Sequence, residues 1–166
     1  MTTRTLVRGF TALALLLVGL TLIAPEATAN DQPRPFRGNA EGLVTGLIEP
    51  SEDCPFGGFT AFWTGNATHL GRFTRQEVLC YTNAELTEFE GEIVFTAANG
   101  DTLSLKFSGS FEPGPGGTLL AEGPYEFTGG TGRFANASGS AGYQAVAFPI
   151  GDQVLAVVEF DGFICY

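Results

Sequence analysis

Tyr125-Glu126-Phe127-Thr128-Gly129-Gly130-Thr131-Gly132-Arg133-Phe134, with the small residues Ala135 to Gly142 behind it, is the stretch around which the chain is organised. Tyr125 and Phe127 alternate with Glu126 and Thr128, the two-residue period of a half-buried strand. Gly129, Gly130 and Gly132 then supply a corner, because glycine alone reaches positive φ at little cost. Gly130 to Ala135 also fits a loose dinucleotide-binding fingerprint, but that fingerprint requires a helix to follow and hold the pyrophosphate at its N-terminus. Asn136 to Phe148 carries no helical apolar stripe, so the stretch reads as strand, glycine corner, strand.

The same period recurs on both sides. Strands are expected over Phe36 to Leu47, Phe59 to Ala67, Arg72 to Tyr81, Phe89 to Ala97, Leu103 to Phe111, Leu119 to Thr128, Ser138 to Phe148 and Gln153 to Cys165. Asn99-Gly100-Asp101 is a strong hairpin signal, and Thr68 to Gly71 reads as a tight turn. Glu49 to Gly57 reads as a loop carrying Pro50, Cys54 and Pro55. Thr82 to Glu88 is a polar, acidic loop with room for one helical turn. The Pro/Gly run Glu112 to Gly117 is expected to be neither strand nor helix interior. Eight short strands joined by short turns describe a meander, closed into a barrel or folded as a sandwich. The inward faces mix Phe with Gly and Ala, which fits a filled interior as well as a narrow pocket.

Arg4 and Arg8 precede an apolar run from Phe10 to Ala24, and Ala27-Thr28-Ala29 offers a small-residue cleavage site. This is a secretory signal pattern over residues 1–29, too short in its apolar part for a membrane span. A loose arm over residues 30–35 and one domain over residues 36–166 follow, with no membrane span expected after processing. The whole chain carries 18 acidic against 8 basic side chains, a formal charge of −10. Cleavage would remove Arg4, Arg8 and Glu26 and make it one unit more negative. Nucleic acid is therefore an unsuitable partner, since phosphate binding needs a basic patch.

The corner Gly129 to Phe134 behind an alternating strand resembles the one shared by dirigent proteins and the allene oxide cyclase-like barrels. Asn66-Ala-Thr-His-Leu-Gly-Arg-Phe-Thr74 resembles a segment of small secreted bacterial proteins of that barrel type. The resemblance spans residues 58–148. It implies an all-β, eight-stranded antiparallel up-and-down barrel in a family that includes a cyclase, proteins that steer radical coupling and many members without an assigned role. No cyclase catalytic set matches residue by residue, so no catalytic residue is carried over. With a bacterial host implied, the sequons at Asn66 and Asn136 read as chance matches.

In such a meander, odd strands end at one rim and even strands at the other. The first rim collects Glu49, Glu52, Asp53, Glu85, Glu88, Glu112 and Asp152; the second collects His69, Arg72 and Arg133. Charge is thus expected to be polarised along the barrel axis. Cys54 and Cys80 fall at the first rim and Cys165 ends an even strand, so a Cys54–Cys80 bridge is expected, because bridged Cα atoms must lie within about 7 Å. Cys165 would then stay a thiol or pair between molecules. Gly71-Arg72-Phe73 and Gly132-Arg133-Phe134 read as one structural device used twice.

The sole histidine, His69, reads as an exposed turn residue; its functional alternative is an anion-receiving rim with Arg72 and Arg133, for instance for a ligand carboxylate. Trp63, at an inward position of the second strand, completes the candidate ligand-binding set. One histidine supports neither the usual transition-metal sites nor a serine triad. The acidic rim lacks EF-hand spacing, so no metal or cofactor is expected.

Arg75 and Glu77 are the only catalytic candidates. If Phe73, Leu79 and Tyr81 face inward, Arg75 and Glu77 do too, and must pair or bind something. A buried carboxylate there can act as a general base or stabilise a developing cation. The rival register turns Thr74, Gln76, Val78 and Cys80 inward and leaves the charges in water; it is preferred, because charged side chains are seldom buried. The expected role is a secreted binding or structural module holding a small apolar ligand. The alternative is an allene oxide cyclase-like isomerase or cyclase that confines a reactive apolar substrate.

Overall fold

The computed structural model describes residues 32–166; the signal pattern lies outside them. Period-two patterning becomes eight antiparallel strands: β1 (Arg34–Ile48), β2 (Gly58–Ala67), β3 (Gly71–Tyr81), β4 (Glu88–Thr96), β5 (Thr102–Pro113), β6 (Leu119–Gly130), β7 (Ser138–Ile150) and β8 (Gln153–Cys165). They follow one another around a closed barrel, and β1 pairs with β8 to complete it. Closure leaves no edge strand to template aggregation. No helix among the described residues is long and apolar enough to cross a membrane.

Some boundaries differ from the sequence reading. Arg34 and Pro35, assigned to the arm, pair with Ile164 and Phe163. Glu112 and Pro113 continue β5 opposite Leu120 and Leu119; a proline is tolerated at a strand end, where its missing N–H costs nothing. Pro115–Gly117 then forms a single 3-10 turn. The two Gly-Arg-Phe tripeptides share a left-handed glycine (Gly71 φ 66°, Gly132 φ 56°) and then diverge. Gly71 launches β3, whereas Gly132–Phe134 coils into a 3-10 turn. They are not one device. A register shift between Ser104 and Leu105 leaves Thr128 of β6 as an extra residue just before the glycine corner, a bulge of the kind that bends a strand.

The interior divides along the axis. Towards the end formed by the β2–β3, β4–β5 and β6–β7 turns, Phe36, Phe73, Phe95, Phe127 and Phe160 pack ring on ring, with centroids 4.9 Å apart for Phe36–Phe127 and for Phe73–Phe95. Leu70 and Phe134, both buried, seal that end from the turns. Towards the other end, the inward positions of β6, β7 and β8 include Ala121, Ala145, Ala147 and Ala156. Replacing rings by methyl groups on three adjacent strands hollows out this half, and a cavity of about 450 Å³ opens there. The interior is thus filled at one end and open at the other.

Candidate functional site in the open half of the barrel

Arg75 and Glu77 stand on β3 between Phe73 and Leu79, and all four side chains are buried. This overturns the preferred outward register. The apolar weight of Phe73, Leu79 and the partly buried Tyr81 fixes the face, and a strand cannot turn two of its odd residues the other way. The pair survives burial because it is partnered. Arg75 Nη2 donates to Glu77 Oε2, and Nη1 donates to the Tyr125 hydroxyl at 2.9 Å. The guanidinium lies 4.6 Å from the centroid of the Trp63 ring, a cation–π contact.

Burial works to deprotonate Arg75, but the Glu77 carboxylate and the Tyr125 hydroxyl outweigh it, and its pKa is raised. Burial pushes Tyr125 up to about 12, with Arg75 opposing and Glu77 reinforcing the rise. Tyr143 stacks on Tyr125 at 4.6 Å, donates to the Ser108 carbonyl at 3.1 Å and is likewise raised, chiefly by burial.

Glycines make room for these rings. A Cβ on Gly42 of β1 would lie 2.4 Å from the Trp63 ring, and one on Gly109 of β5 would lie 2.4 Å from the Tyr143 hydroxyl. The result is a floor of Arg75, Glu77, Tyr143 and Trp63, with Tyr125 buried behind it against Arg75, under apolar walls that include Phe59, Leu79 and Phe111. Two buried donors of the floor, Trp63 Nε1 and Arg75 Nε, have no acceptor among the described residues.

The mouth faces the loops between odd and even strands. Glu85, Leu86 and Thr87 border it. Asn83 shapes that loop: its Oδ1 accepts from the Thr87 and Glu88 amides, and its Nδ2 donates to Thr87 Oγ1. No helical turn forms; Leu86 instead adopts a left-handed conformation (φ 56°). Cys54 and Cys80 are bridged, with Cα atoms 5.3 Å apart, tying the loop after β1 to the end of β3 beside the mouth. Glu49, Glu52, Asp53, Glu85, Glu88, Glu112 and Asp152 are all exposed at this end.

The other candidates lie at the sealed end. His69 (φ 66°) holds the Pro35 carbonyl through Nε2 at 3.0 Å and the Tyr166 hydroxyl through Nδ1 at 3.0 Å. Arg133 donates to the His69 carbonyl and lies 3.8 Å from Asp101. His69 thus fastens its turn to β1, and Arg133 ties the β6–β7 turn to the β2–β3 and β4–β5 turns. Arg72 points outward beside Asn66, Asn39 and Glu41. His69 and Arg133 come together, whereas Arg72 and Trp63 belong elsewhere, so the four do not make one ligand site. Tyr125 and Tyr143 were missed by sequence reasoning; the signal available was their inward phase on β6 and β7.

No protein-family model matches the chain, and no curated protein matches it in sequence. Among solved structures, a pterocarpan synthase dirigent protein superposes with a TM-score of 0.51 at 19% identity, over 87% of this chain and 95% of that one. An eight-stranded closed meander, a glycine corner between β6 and β7, and this superposition over most of both chains lead to one structural conclusion: the chain has the dirigent-like barrel fold.

Proposed function

We propose that this barrel is a holding and guiding module for a small apolar molecule. The molecule enters through the acidic end and seats in the open half, against Trp63 and over the Arg75–Glu77 floor. The observation that carries this reading is the cavity of about 450 Å³, walled by apolar side chains and floored by a few convergent polar groups, the usual anatomy of a small-molecule site. A purely structural barrel gains nothing from hollowing one half and burying an ion pair beneath it. We place the protein outside the cytoplasm; the Cys54–Cys80 bridge supports an oxidising compartment.

A second reading, confinement catalysis by an isomerase or cyclase, draws on one observation: Glu77 lies at the cavity floor, where a proton or a developing cation would meet it. Native mass spectrometry of the mature protein from its host's secreted fraction tests both. A discrete added mass that leaves on denaturation supports holding. Recovery of an offered molecule chemically altered supports catalysis. A bare mass, together with Trp63 emission that no apolar probe perturbs, rejects the cavity as a site.

A further inference from the structure

The cationic side chains of the described residues are distributed unevenly along the barrel. Arg34 and Arg37 begin β1, Arg72 begins β3 and Arg133 sits in the β6–β7 turn, all at the sealed end; Lys106 lies midway on the outer face of β5. The loops and strand ends around the mouth hold seven carboxylates and, among the described residues, neither lysine nor arginine. Glu85 itself borders the cavity.

Inside, Arg75 is the only cation among the described residues that line the cavity, and it is engaged on two sides, by Glu77 and by the Tyr125 hydroxyl, with its face against Trp63. A ligand carboxylate reaching the floor would have to displace Glu77 from a buried ion pair, and on the way in it would cross a field of its own sign. Trp63, 6% exposed, borders the cavity, and its buried indole N–H has no acceptor among the described residues.

We infer that the cavity selects its ligand by charge: it takes lipophilic cations, amines above all, and neutral lipophiles after them, and it rejects carboxylates. The apolar body lies in the hollow half and the ammonium group rests at the carboxylate mouth. This rests on the cavity reading above and deepens it. It also replaces the carboxylate-bearing ligand expected from His69, Arg72 and Arg133, which lie at the wrong end of the barrel or on its outside.

The test uses three probes of one chain length, decylammonium, 1-decanol and decanoate, titrated below their micellar concentrations at pH 7 into the mature protein. Trp63, the single tryptophan of the chain, reports occupancy. The expected order is ammonium tightest, alcohol next and carboxylate weakest, with roughly tenfold between the two ions at low ionic strength and a clearly smaller gap in ~0.5 M salt, where rim charges are screened. The exposed rim variant Glu49→Lys/Glu88→Lys/Glu112→Lys, at positions outside the cavity lining, should narrow or reverse the gap while leaving decanol affinity unchanged. Binding of all three with no ionic preference, or with decanoate favoured, overturns charge selection and leaves the cavity reading standing. Binding of none of them overturns both.

Discussion

Arg75 and Glu77 are two residues apart on one strand, each less exposed than most leucines among the described residues, and their worth depends on which partner is taken away. Arg75→Met leaves a carboxylate under the barrel floor without its cation, a change that costs about 3–5 kcal/mol in comparable buried pairs. The double variant Arg75→Met/Glu77→Leu removes both charges and should recover most of that loss, because two apolar side chains then pack where two ions were held. Urea denaturation of the two variants checks the asymmetry; equal destabilisation would show that the pair contributes through shape alone. Tyr125 gives a pH signature. Its pKa is raised above the unfolded value of 10, to about 12, so the folded state keeps a proton that the unfolded state has lost. Stability from this group is complete below pH 10 and falls as pH rises from 10 to 12, by about 3 kcal/mol for a rise of that size. Tyrosinate absorbance followed with pH should show Tyr125 and Tyr143 ionising only as the barrel opens.

At the scale of elements, the outcome turns on phase and spacing. The Cys54–Cys80 bridge closes a separation of 26 residues that holds the end of the β1–β2 loop, β2 and most of β3. Chain-entropy reasoning assigns such a closure about 3 kcal/mol, so Cys54→Ala/Cys80→Ala should lower the thermal midpoint by several degrees and increase protease cleavage near residues 49–57. All eight strands were legible in the sequence because their apolar positions alternate cleanly, and the bridge was legible because a meander assigns each strand end to a rim. The facing of β3 departs from the sequence expectation for a definite reason. Phe73, Leu79 and Tyr81 outweigh the general reluctance to bury charge, because register binds every residue of a strand together. The hollow half was not legible, since Ala121, Ala145 and Ala156 look like ordinary small strand residues until three strands are seen side by side. In sequence alone Gly42 is one more glycine of β1. Its neighbour across the strand pair, Trp63, gives it a purpose, and Gly42→Ala should push that ring into the cavity and shift its emission.

For the whole molecule, the filled and open halves divide the labour. The phenylalanine cluster around Phe36 carries stability, and the alanine-lined half carries the site. Phe36→Ala should therefore cost about 3–5 kcal/mol while leaving the floor chemistry intact, and Ala145→Leu should do the reverse, filling the cavity at small cost in stability. Thermal melts paired with decanol titrations of both variants check this separation. A loss of binding in Phe36→Ala at temperatures where the protein remains folded would show that the two halves are coupled.

The pairing of Arg34 with Ile164 also sets the two ends of the barrel side by side on adjacent strands. The order in which the strands leave the ribosome is then a matter of history rather than of architecture. A circular permutant that joins residue 165 to residue 34 through a short glycine linker, and begins instead at Gly100 in the exposed hairpin turn, asks each strand to meet the same two neighbours as before. Its spectrum and ligand response should match those of the parent, while its refolding kinetics should differ. The last seam to close would then be β4 against β5 in place of β1 against β8.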